Sequence, residues 1–152
     1  MPDTYNADTF TAGPAPAIHA GVNTQICNWT MARTSSGVVT ANLTPLPAGA
    51  EVTNVRALAS NVYGTGGEIF SVYATIGGTR VQTFIGSASW NQGTGLLINA
   101  NNQAVATADR WMAKRFTASA NVVMVLSGNV GTGTASCDFA VIIDYLTRKR
   151  GD

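Results

Sequence analysis

The chain has 152 residues, a formal net charge of +1 and only 11% Asp, Glu, Lys and Arg, where a soluble domain usually carries about 25%. That length fits one domain whose core needs no metal or disulfide staple. The near-zero charge excludes a global attraction to nucleic acid or membrane, and the longest apolar runs, 122–126 and 139–143, fall far short of the roughly 20 residues of a membrane span.

Residues 1–22 read as an extended arm. They have no sustained period, and Gly13, Pro14 and Pro16 favour an irregular path. Tyr5, Phe10 and Ile18 give this arm contact potential, either across its own domain or onto a neighbouring subunit. The segment lacks a basic start followed by an apolar stretch, so no secretory leader is expected. With that absence, Cys27 and Cys137 are expected to be reduced, buried and structural.

Strand patterns fill residues 23–147. Residues 25–31 alternate, with Cys27, Trp29 and Met31 on one face. Residues 38–43 follow, with Val39, Ala41 and Leu43 together. Pro45, Pro47 and Gly49 then break the pattern before a strand over 52–58. There Val52 is out of step with Val55, so a bulge is expected near Asn54. Residues 68–76 and 80–85 form a hairpin around Gly77-Gly78, which supply the positive φ of a tight turn. Phe70, Val72, Ala74 and Ile76 share one face, and Val81 is out of step with Phe84, so an irregular return strand is expected. A polar loop over 87–95 carries Trp90, and 96–98 is a short strand. Residues 107–116 have some helical character, with Thr107 as a cap, and a loop with an irregular strand fits nearly as well. Residues 121–127 and 137–146 are the last strands, joined by a Gly, Thr and Ser loop. In the final strand Cys137, Phe139, Val141 and Ile143 oppose Asp138, Ala140, Ile142 and Asp144. A basic tail occupies 148–152. About eight or nine strands predict an all-β fold, an antiparallel two-sheet β-sandwich of jelly-roll type. An immunoglobulin-like sandwich fits less well, because Trp29 follows Cys27 by only two residues.

Little in the chain points to catalysis. The one histidine, His19, lies in the Pro-rich arm with no nucleophile nearby in sequence. One His and two distant Cys do not make a zinc set. GTGG at 64–67 and GNVGTG at 128–133 lack the Lys-Ser or Lys-Thr of a phosphate loop and open no helix. Asp138 and Asp144 stand about 20 Å apart along one strand, too far for paired glycosidase carboxylates. No catalytic, cofactor or metal residues are assigned. Candidate contact residues are the basic cluster Arg110, Lys114 and Arg115, interleaved with Trp111 and Phe116, and the tail Arg148, Lys149 and Arg150. Tyr63 and Trp90 are the loop aromatics suited to stacking on a sugar. The tripeptide Arg150-Gly151-Asp152 and the sequons at Asn28 and Asn42 read as chance matches.

The arm TFTAGPAPAIHAG, the segment LTPLPAGAEVTNVRAL leading into EIFSVYATIGGTRVQTFIGSAS, and the closing NVVMVLSGNVGTGTASCDFAVIIDYL together resemble jelly-roll structural proteins of tailed-phage virions, in particular capsid decoration (cement) proteins. The resemblance is one of style across most of the chain and carries no diagnostic motif. It implies a non-enzymatic protein on the capsid exterior, assembled in the host cytoplasm. Its implied partners are the major capsid protein and its own copies, as dimers or trimers, with no cofactor, small-molecule substrate or membrane and no direct nucleic acid contact. Tyr5, Phe10, Ile18 and the basic residues above are then the interface candidates. A carbohydrate- or receptor-binding sandwich of a tail fibre or tail tip, through Tyr63 and Trp90, is the alternative; a tail-tube or connector subunit is a third.

Overall fold

The structure, a computed structural model, describes residues 3–12, 22–31, 38–59, 69–89, 97–99, 115–127 and 137–147. These contain ten strands and no helix: β1 (Asp3–Asn6), β2 (Asp8–Ala12), β3 (Val22–Met31), β4 (Val39–Leu46), β5 (Ala50–Ala59), β6 (Ile69–Ile76), β7 (Thr79–Ser89), β8 (Leu97–Asn99), β9 (Ala120–Ser127) and β10 (Cys137–Thr147). They form two five-stranded sheets, ordered β1-β4-β9-β6-β7 and β2-β3-β10-β5-β8. β10 lies between β3 and β5, and β9 between β4 and β6, all antiparallel. Over β3 to β10 this is the strand order of a jelly roll. The two further strands come from the N-terminal segment, which adds β1 to one sheet and β2 to the other.

Alternation places the core where the sequence predicts it. Cys27, Trp29, Met31, Phe139, Val141 and Ile143 from one sheet meet Val39, Ala41, Leu43, Phe70, Val72, Ala74, Met124 and Leu126 from the other, all buried. Each large side chain so buried contributes roughly 1.5–3 kcal/mol. The bulge near Asn54 is present: Asp144 faces Asn54 and Tyr145 faces Val52, leaving Thr53 as the extra residue. That one-residue step lets Val52 and Val55, three apart, both face inward. The released Thr53 Oγ1 donates to the Asp144 carbonyl at 3.1 Å.

The β6–β7 turn uses Gly77 at φ 58° and Gly78 at φ 81°, the twist a two-residue hairpin loop requires. β7 is irregular as expected, with three register shifts against β6. At the same end of the sandwich, Phe116 plugs the core. Its N–H donates to the Ala50 carbonyl (3.0 Å), and its carbonyl accepts from Gly49 N–H (2.8 Å).

Residues 3–12 pass from one sheet to the other beside β4 and β3. β1 pairs in parallel with β4, and β2 pairs antiparallel with β3. At the crossing Ala7 N–H donates to the Asn42 carbonyl (2.8 Å) and Thr9 Oγ1 to the Leu43 carbonyl (2.8 Å).

Candidate functional site

The outward face of β2-β3-β10-β5-β8 follows from the alternation of β10. Asp138 and Asp144 mark its two ends. Asp138 accepts from Thr30 Oγ1 at 2.6 Å. Asp144 accepts from Thr24 Oγ1 at 2.7 Å and pairs with Arg56 Nη2 at 3.3 Å. Between them Ile142 stands opposite Ile26 and Arg56, and Ala140 opposite Asn28 and Leu58. Ile26, Leu58, Ala140 and Ile142 are half-buried. The face is therefore an apolar strip with a polar anchor at each end.

The outward face of β1-β4-β9-β6-β7 differs. Thr40, Asn42, Asn121, Val125, Ser71, Tyr73 and Thr75 occupy its outward register positions, with no Asp or Glu among the described residues there. Its charge is Arg80, whose guanidinium lies 3.8 Å from the Tyr73 ring centroid, an attractive cation–π geometry.

A cleft of about 730 Å³ opens where β2, β3, β5 and β10 meet, with Asn6, Asp8, Asn28, Trp29, Thr30 and Asp138 on its wall. Behind it three rings pack in series. Tyr5 meets Trp29 at 5.2 Å, and Trp29 stacks on Phe139 at 4.5 Å and 14°. Trp29 is 5% exposed, and its Nε1 has no hydrogen-bond partner among the described residues.

Of the residues singled out by sequence, Tyr5 is half-buried in β1 and packs against the core of its own chain. Phe10 lies in β2 at the register position of Ile26. Arg115 is bridged to Glu51, with Nε 3.4 Å from its carboxylate. Ile18, Tyr63, Trp90, Arg110, Lys114, Arg148, Lys149 and Arg150 lie outside the described residues, as do residues 107–114 of the segment 107–116 read as partly helical; its last two residues are not helical, since Arg115 forms a β-bridge with Glu51. Asp8, Asn28 and Thr30 escaped the sequence reading. They meet Asp138 only through β2–β3–β10 pairing, and Thr30 and Asp138 are 108 residues apart in sequence.

Cys27 and Cys137 are buried and unbridged. Cys27 stands opposite Val141 and Cys137 opposite Met31, an offset of about 13 Å along the strands, beyond disulfide reach. Burial pushes the Cys27 thiol up from 9.0 to about 12, although a Thr9 side-chain hydrogen bond pulls it down. Among the described residues no group of three or more His, Cys, Asp or Glu side chains is placed to hold a metal ion.

The strand order and the two-faced sandwich define a jelly-roll protein. Its fold is similar to a structure described as the capsid of Ralstonia phage GP4, with a TM-score of 0.62 and 15% identity over 91% of this chain and 92% of that one. It is also similar to the capsid asymmetric unit of cyanophage Pam1, with a TM-score of 0.57 and 16% identity over 90% of this chain and 91% of that one. No protein-family model and no curated protein sequence matches the chain.

Proposed function

We propose that the chain is a non-enzymatic structural protein of a phage virion, a decoration (cement) protein that binds the outside of the assembled shell and stabilises it. The observation that carries this reading is the extent of the fold likeness. About nine-tenths of this chain matches about nine-tenths of a chain in each of two phage capsid structures, so the shared unit is nearly the whole molecule. The lack of carboxylates among the described residues on the outward face of β1-β4-β9-β6-β7 supports it. Thr, Asn and Ser exchange water for a partner at little desolvation penalty, whereas buried charges would need matched partners.

The mechanism is linkage. A protein that binds the assembled shell but not free major capsid subunits stabilises the assembled state by mass action. Repetition over many sites multiplies weak contacts, each of roughly 1,600 Å² if typical of stable complexes. Direct nucleic acid contact and membrane binding play no part in this reading.

Electron microscopy of shells prepared without the chain, before and after adding it, tests the proposal. Regular density on the outer surface and a higher shell rupture temperature are expected. Density on a tail or fibre, or shells that ignore the chain, would refute it. Tail or fibre density would direct attention to Tyr63 and Trp90 as sugar-stacking residues.

A further inference from the structure

Residues 3–12 lie on the sandwich as a strap. None of residues 4–9 is buried: Thr4, Asn6, Asp8 and Thr9 are exposed, and Tyr5 and Ala7 are half-buried. Open space flanks the segment on both sides. Asn6 and Asp8 line the cleft of about 730 Å³, and Asn6, Ala7 and Thr9 line a second groove of about 420 Å³ beside β4. β1 and β2 are edge strands, and β3 to β10 form two four-stranded sheets without them. A rim segment with few buried contacts opens at a lower free energy than the body it borders. We propose that residues 3–12 leave their seat as a unit and are exchanged with the same segment of a second copy of this chain.

The seat defines its occupant. The edges of β4 and β3 hold the segment by two backbone ladders of fixed register. Ala7 N–H donates to the Asn42 carbonyl, Thr9 Oγ1 to the Leu43 carbonyl, and the Tyr5 ring meets Trp29. A second copy brings the same residues and restores every one of these contacts. The connection is long enough to reach a neighbour. Ala12 stands opposite Thr24, which places it about 8 Å from Val22, whereas residues 13–21 allow about 33 Å when extended. Because a closed chain and an exchanged pair make the same contacts in the seat, the balance between them rests on concentration. A chain's own segment is present at its seat at an effective concentration of millimolar order. Exchange therefore competes once copies are packed about that densely, and a pair closes when each member gives and receives one segment.

The test uses no shell, so its outcome is independent of the shell-binding proposal. Asn42 Nδ2 donates to Asn6 Oδ1 at 3.1 Å, so cysteines at these two facing ladder positions fall within disulfide reach. In a Cys27→Ala, Cys137→Ala background, one chain carries Asn6→Cys and another, lengthened by a size tag, carries Asn42→Cys. Mixed at about 1 mM in a glutathione redox buffer, they should form a disulfide-linked heterodimer. Asn6→Cys mixed with Thr79→Cys, on the opposite edge strand of the sheet, should not. The double variant Asn6→Cys, Asn42→Cys gives a second reading that needs no mixing. Oxidised at about 1 µM it is locked as a single chain, and it should stay single at about 1 mM by sedimentation equilibrium. Reduced, about half of it should pair at about 1 mM and under about one in a hundred at about 1 µM. A heterodimer no more abundant than in the Thr79 control, a reduced chain that stays single at about 1 mM, or a locked chain that pairs like the reduced one would each overturn the inference.

Discussion

Trp29 is held between two rings and carries the seam between the N-terminal segment and the core. Tyr5 covers one side and Phe139 the other. Trp29→Ala should lower the unfolding free energy by about 3–5 kcal/mol, measured by urea unfolding, whereas Tyr5→Ala, at a half-buried site, should lower it by about 1–2 kcal/mol. Cys27 carries a different signature. Its folded thiol titrates at about 12 and its ordinary value is 9.0. Between these values the unfolded chain has released a proton that the folded chain keeps, so alkali favours unfolding. The stability present below pH 9 should fall by up to about 1.4 kcal/mol per pH unit through that window. Cys27→Ala should flatten this slope in urea titrations repeated across the window. For the same reason the native thiol should resist alkylation at about pH 8 and react only after unfolding.

The β6–β7 hairpin and the N-terminal strands show what patterning reveals about elements and what it hides. Gly77-Gly78 was legible because two glycines between alternating β-branched and aromatic residues specify one turn. A Cβ at Gly78 would meet nothing within 4 Å, so Gly78→Val should cost about 1–2 kcal/mol through its positive φ alone. Gly77→Asn should be close to neutral, because Asn tolerates that region. Both are read from denaturant midpoints. The bulge at Thr53 was legible for a related reason: Val52 and Val55 cannot share a face of an unbroken strand. β1 and β2 were not legible as strands. Tyr5 stands at an inward register position, opposite Ala41, and Phe10, an odd number of residues on, at an outward one, opposite Ile26. Alternation continues through both strands, but the inward positions 7 and 9 are Ala and Thr, so no apolar stripe marks it. Deleting residues 1–12 should uncover Trp29, red-shift its emission in a background where Trp90 and Trp111 are Phe, and lower stability by at least about 3 kcal/mol.

At the scale of the whole molecule, the sequence made the sandwich visible and left the surfaces obscure. Strand number, turn spacing and scarcity of charge were enough for the architecture, because they depend on neighbours in sequence. The cleft joins β2, β3, β5 and β10, and the parity of one strand says nothing about which acid on another lies beside it. The charge distribution acquires meaning only after folding. Arg80 lies over Tyr73 on one face, whereas Asp8, Asp138 and Asp144 mark the other. The three register shifts of β7 have a counterpart at this scale. They interrupt the long outer edge of its sheet, which discourages continuous pairing with another chain.

The position of β10 has a consequence in time. It is the middle strand of its sheet, and its partners β3 and β5 have no ladder with each other. On a ribosome adding about 5–20 residues per second, both partners emerge and wait several seconds for the strand that unites them. One sheet therefore closes only once β10 has been made, and until then its apolar faces depend on chaperones or dilution for protection. A chain halted after residue 136 should accordingly lack a stable sandwich, show no cooperative unfolding by circular dichroism and be cut readily by protease. Maturation of this sandwich is governed by β10.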